Sequence, residues 1–145
     1  MPIKTFRGLL ADDSQDTILL HTNDGSTGYR IVKFEIMPGA PGSATQESIV
    51  KVWKIEQTTI TDTVDFSDNT MLAAGAYLNN NHAYAGPSNA AAIIFENEIF
   101  NQDIYITHKD TSTGLTCNYY LELEQVKLDL NENTVATLKD IRNKQ

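Results

Sequence analysis

One cysteine, Cys117, stands alone in a chain of 145 residues. No disulfide can form within the chain, and neither a Cys₄ nor a Cys₂His₂ zinc site can be assembled. Cys117 is expected to be a small packing residue rather than a reactive thiol. Basic residues are also scarce: 11 Lys and Arg stand against 19 Asp and Glu, for a formal net charge of −8. Nonspecific nucleic-acid binding relies on Lys and Arg neutralising phosphates, and here they are dispersed, with no basic stripe interleaved with aromatics. An anionic membrane surface would repel such a chain. No apolar run approaches the roughly 18 residues of a membrane helix. The opening MPIKTFRGLLA lacks the apolar core of a signal peptide. HExxH, G-x-S-x-G, P-loop and dinucleotide-binding motifs are all missing. No repeat of about 20–50 residues is visible, which disfavours propellers and solenoids. The expectation is a cytoplasm-made protein that is not an enzyme, holds no cofactor or metal, and has neither nucleic acid nor membrane as a partner.

Hydrophobic residues make up 41 % of the chain. That suits one folded domain over residues 1–145, large enough to bury roughly two-thirds of the surface its unfolded chain exposes. The clearest pattern is in residues 117–125, where Tyr119, Leu121 and Leu123 alternate with Tyr120, Glu122 and Glu124, the two-residue period of a half-buried strand. After Gln125 the phase flips to Val126, Leu128 and Leu130. One inserted residue would do this, so a β-bulge is expected near residues 124–126. Val135, Leu138 and Ile141 then fall three apart, predicting a short helical tail over residues 131–145. Asn131 or Asn133 would cap it, and Lys139, Arg142 and Lys144 suit its C-terminal end.

Further strands are expected over residues 17–22, 29–38, 47–57, 58–63, 91–100 and 103–110, with residues 71–78 read as strand over helix. Residues 2–10 fit a first strand or an arm lying on a neighbour. Val32, Phe34 and Ile36 share one face of theirs, and Trp53 is expected in the core. Residues 101 and 102 have the spacing of a hairpin turn, and NDGSTG (residues 23–28) carries Asp-Gly, a strong turn signal. PGAPGS and the Asn-rich residues 79–89 read as loops, the latter long enough to be a functional tip. Eight or nine short strands without alternating helices exclude a parallel α/β sheet. The predicted fold class is all-β, an antiparallel β-sandwich of jelly-roll kind with a short C-terminal helix. An immunoglobulin-like sandwich ranks second, since its cysteine pair is absent.

Candidate chemistry is thin. His21, His82 and His108 lack metal-binding spacing and read as surface or strand-end residues. Asp12, Ser14 and Asp16 begin a calcium-loop spacing but lack the glycine and bidentate Glu that complete it; Asp65, Asp68 and Asn69 read in the same way, as solvated turns. Glu96 with Glu98 and Glu122 with Glu124 share strand faces, as is ordinary on an acidic sheet.

Three stretches carry a resemblance: KTFRGLLADDSQDTILL (residues 4–20), GYRIVKFEI (28–36) and ELEQVKLDLNENTVATLKDIRN (122–143). They resemble small structural proteins encoded by tailed bacteriophages of marine bacteria. The resemblance implies a virion component, most plausibly a capsid decoration or cement protein on the outside of the head. Its expected partners are the major capsid protein and copies of itself, in a trimer. The alternative is a carbohydrate- or receptor-binding module of a tail fibre, using residues 79–89 with Tyr77, Tyr84 or Trp53 as a platform. Subunit contacts are expected from Lys4, Arg7, Val135, Leu138 and Ile141.

Overall fold

Strand after strand alternates apolar with polar side chains, and the computed structural model pairs these segments into two antiparallel sheets. It describes residues 2–20, 26–39, 45–80, 90–95, 98–111 and 114–128. Eight strands occur among them: β1 (Ile3–Leu10), β2 (Ser14–Ile18), β3 (Thr27–Pro38), β4 (Thr45–Trp53), β5 (Met71–Asn80), β6 (Ala90–Ile94), β7 (Ile104–Asp110) and β8 (Cys117–Lys127). None of the described residues is helical. The tail predicted over residues 131–145, with Val135, Leu138 and Ile141, lies outside the described residues, as do His21, His82, Tyr84 and Glu96.

One sheet has the order β1-β8-β3 and the other β2-β7-β4-β5-β6. Every strand pair is antiparallel. The sheets share one apolar core, giving a sandwich-like all-β fold. Leu10, Phe34, Tyr119, Leu121 and Leu123 face it from the smaller sheet, and Ile18, Val50, Val52, Ala73, Ile104 and Ile106 from the larger. A fully covered side chain of this size is worth about 1.5–3 kcal/mol. Gly75 marks a close approach of the sheets: a Cβ there would stand 3.2 Å from the Phe34 ring and 3.3 Å from Ile36.

β1 pairs along its whole length with β8, and Met71–Asn80 is a strand. Several expectations are corrected. The bulge falls in β3, between Ile31 and Lys33, and a second register shift lies between β4 and β5 at Val52 and Trp53; neither is at residues 124–126 of β8. As far as Glu124, β8 is bonded to strands on both sides, so an extra residue there would break two ladders, whereas β3 has β8 alone as a neighbouring strand. The bulge turns Val32 outward, 39 % exposed, away from the buried Phe34 with which it was expected to share a face. The phase change in β8 has another origin. β1 ends opposite Glu124, β8 runs on beside β3 alone, and Leu128 turns inward over Gly28.

Residues 91–100 and 103–110 do not form a hairpin. β6 pairs with β5, while β7 lies between β2 and β4. Between them Phe100 crosses to the smaller sheet, where Tyr29 and Phe100 exchange backbone hydrogen bonds of 2.8 and 2.9 Å. Alternation reports which face is buried, not which strand is the neighbour. Residues 58–63, expected as a strand, belong to a non-strand connection between β4 and β5.

Candidate functional site

Three places gather side chains with chemical potential: a buried corner, a covered sheet face and a bare sheet face. The corner forms where the β1–β2 and β7–β8 connections meet. His108, fully buried on β7, has Nδ1 at 3.1 Å from the Leu10 carbonyl and 3.0 Å from that of Ala11. Carbonyls only accept, so Nδ1 carries a proton. Nε2 lies 2.9 Å from Ser48 Oγ, and Ser48 Oγ accepts from Gln46 Nε2 at 2.7 Å. The Asp110 carboxylate accepts from the backbone N–H groups of Glu47 (3.1 Å) and Leu115 (2.7 Å), and Asp12 accepts from that of Asp110 at 2.7 Å. Cys117 packs beside them, its thiol pushed up to about 11 mainly by burial, which keeps it protonated and inert.

Ser48 and His108 stand at the distance of a nucleophile and its base. Both are 0 % exposed, and backbone carbonyls hold the second ring nitrogen. The arrangement staples the β1–β2 corner to β7 and β4. The surface or strand-end reading of His108 is therefore corrected: its side chain points between the sheets, where only hydrogen-bonded polar groups are tolerated.

The second place is the outer face of the larger sheet. Residues 54–70 cross it as a strap. Gln57 and Gln15 of β2 exchange hydrogen bonds of 2.9 and 3.1 Å, and Phe66 packs edge-on against Phe95 at 4.9 Å between ring centroids. Asp65 and Asp68 each accept from a backbone N–H and a hydroxyl two residues on, in Asx turns. Those bonds hold the Asp65 carboxyl below its ordinary range.

Beneath the strap Trp53, Met71 and Ala74 form a second apolar cluster with Phe95 and Tyr105. Trp53 is buried as expected, but in this cluster rather than the main core, and it donates from Nε1 to Thr107 Oγ1 at 3.0 Å. Lys51, 2 % exposed, donates to the Thr63 carbonyl at 2.8 Å and lies 5.2 Å from the Trp53 ring centroid. Burial lowers its pKa, and Asp62 and Asp68 pull the other way. A cavity of about 260 Å³ remains here, lined by Lys51, Trp53, Thr61, Thr63, Asp65 and Thr107 among others. The sequence signal was present in the alternation of Lys51 and Trp53 with Val50 and Val52, which requires a second covered face.

The third place is the outer face of the smaller sheet. The register lays out cross-strand rows: Leu9–Asn118–Met37, Arg7–Tyr120–Glu35 and Thr5–Glu122–Lys33. The first two rows line a shallow hollow of about 580 Å³, with Leu9 57 % and Met37 61 % exposed. The Tyr120 hydroxyl donates to Glu122 at 2.7 Å, which raises its pKa. Farther along, Glu124 pairs with Arg30 at 3.1 Å.

Lys4 and Arg7, expected together at an interface, point to opposite faces of β1. Lys4 reaches inward to the Tyr29 hydroxyl at 3.4 Å; Arg7 belongs to the bare outer face. The acidic turn does not converge either. Asp12 serves the Asp110 N–H, Ser14 the Ala11 carbonyl and Asp16 the Tyr119 hydroxyl. Among the described residues no three His, Cys, Asp or Glu side chains are grouped to hold a metal ion. Glu98 is the partner of the buried Lys54. Asn79 and Asn80 end β5, and the rest of the loop at residues 81–89 lies outside the described residues. No protein-family model and no curated protein matches this chain.

Proposed function

We propose that this chain is a non-enzymatic viral structural protein, a capsid decoration or cement protein on the outside of a tailed-phage head, made in the host cytoplasm and carried in the virion. The observation that carries this reading is the nesting of its strand pairs. β1 pairs with β8, β2 with β7 and β4 with β5. That is the order produced by winding one long antiparallel ribbon into a jelly roll, an architecture frequent among viral capsid proteins. Where a jelly roll would pair β3 with the sixth strand, β3 here meets only Phe100 through the single Tyr29–Phe100 bridge, and β6 pairs with β5. The acidic balance favours the outside of a particle over contact with packaged DNA, and the exposed face of the smaller sheet is available to the major capsid protein or to further copies of the chain. The link from fold to virion is one of analogy, supported by the three resembling stretches. Gradient-purified particles are expected to contain the protein in many copies; its absence from them overturns the proposal.

The cavity beneath the strap favours a second reading, a carbohydrate-binding module of a tail fibre. Its lining combines threonine hydroxyls, an ammonium and carboxylates beside an indole, a set suited to neutral hydroxylated ligands. The chain has a single tryptophan, so titrating neutral monosaccharides while following indole emission interrogates this cavity alone. A saturable change together with low copy number in particles supports the module. A flat titration with high copy number supports the capsid protein.

A further inference from the structure

The bare face of the smaller sheet carries its charges asymmetrically. β8 runs down the middle, with β1 on one side and β3 on the other. In the row through Tyr120 the β1 side presents Arg7 and the β3 side Glu35. Neighbouring strands are about 4.8 Å apart, so two strand spacings separate the two backbones by about 10 Å, and no Arg7–Glu35 ion pair forms among the described residues. Glu35 has only a long contact of 3.9 Å with Lys33, and Arg7 pairs with no carboxylate among the described residues. The next row places exposed Leu9 on the β1 side and exposed Met37 on the β3 side.

We infer that this face binds a second copy of the same chain about a two-fold axis running along β8. Such an axis lays the partner's β3 over β1 and the reverse. Each Arg7 then meets a Glu35 and each Leu9 a Met37, twice over, with Tyr120 against its own equivalent at the centre. An isologous contact needs a surface complementary to itself under one rotation, and these two rows meet that condition. The price is paid by Glu122, which approaches its own counterpart. It is already engaged by the Tyr120 hydroxyl, and Glu124, next along the axis, by Arg30. The Arg7 and Glu35 side chains set the register, while Leu9, Met37 and Tyr120 supply the apolar area. The contact does not depend on the virion reading, and particle composition tests that reading separately.

The experiment is a charge swap read by sedimentation and native mass spectrometry on the full chain at low salt, where exposed charges count most. The unaltered protein is expected as a dimer or an even-numbered assembly built on it. Arg7→Glu and Glu35→Arg, each alone, are expected to weaken association about tenfold or more. The double variant Arg7→Glu/Glu35→Arg restores it to within about threefold, because the two positions exchange roles across the axis. Circular dichroism and thermal melting confirm that each variant folds. A monomer at all concentrations, an odd-numbered assembly, or a dimer indifferent to the single swaps overturns the two-fold contact. So does a double variant as weak as the singles.

Discussion

The two outer faces of this sandwich-like fold are made of the same kind of strand and finish differently. On the larger sheet the chain returns over its own surface: residues 54–70 bury Lys51, Trp53, Met71, Ala74 and Thr107. On the smaller sheet nothing among the described residues returns, and Leu9, Met37 and Arg7 remain exposed. A face that its own chain covers contributes to the stability of the monomer. A face that no described residue covers, with apolar and charged side chains, contributes when something covers it.

The strongest way to break that contrast is to truncate the covered face. Trp53→Ala is expected to cost about 3–5 kcal/mol in chemical denaturation, the range of a large buried aromatic; a cost near that of a surface change would mean that the strap covers nothing of consequence. Alkaline pH probes the core between the faces. The Cys117 thiol is held up from 9.0 to about 11. It therefore stays protonated in the fold while the unfolded thiol ionises, and stability is lost as pH rises from 9 towards 11. At about 1.4 kcal/mol per unit this is about 3 kcal/mol. Buried Tyr119, also raised, acts in the same direction. Cys117→Ala should flatten the slope of stability against pH across that window, and an unchanged slope refutes the assignment.

Lys51→Met distinguishes a latch from a pillar. It removes the donor to the Thr63 carbonyl but also an ammonium that burial already disfavours. Global stability should change by less than about 1.5 kcal/mol, while strap amides exchange faster with solvent. The smallest effect belongs to the bare face: Arg7→Ala and Met37→Ser should leave monomer stability within about 0.5 kcal/mol. A larger loss would show that this face is part of the monomer's own support.

Much of the fold was legible one strand at a time. The alternation through Tyr119, Leu121 and Leu123 yields the inner face of β8, and the Pro and Gly clusters separate the strands. The site was less legible. His108 looked like a strand-end histidine because its burial depends on carbonyls of Leu10 and Ala11, nearly a hundred residues away in the chain. Trp53 was legible as buried, but not that its cover comes from a polar, threonine-rich connection. Lys4 and Arg7 were legible as β1 residues, and their odd spacing on a strand of period two puts them on opposite faces.

By itself the sequence determined the class: short strands of period two, polar turns, an acidic surface and no disulfide framework. These properties reside in residues close together in the chain, and local sterics with side-chain burial suffice to impose them. Only the tertiary structure decided which strands are neighbours, that the bulge sits in β3 rather than β8, and which outer face is covered. Strand pairing, a bulge's cost in broken ladders and the path of a strap all depend on contacts between distant residues. A two-residue period is silent about those contacts, because every partner strand presents the same alternation.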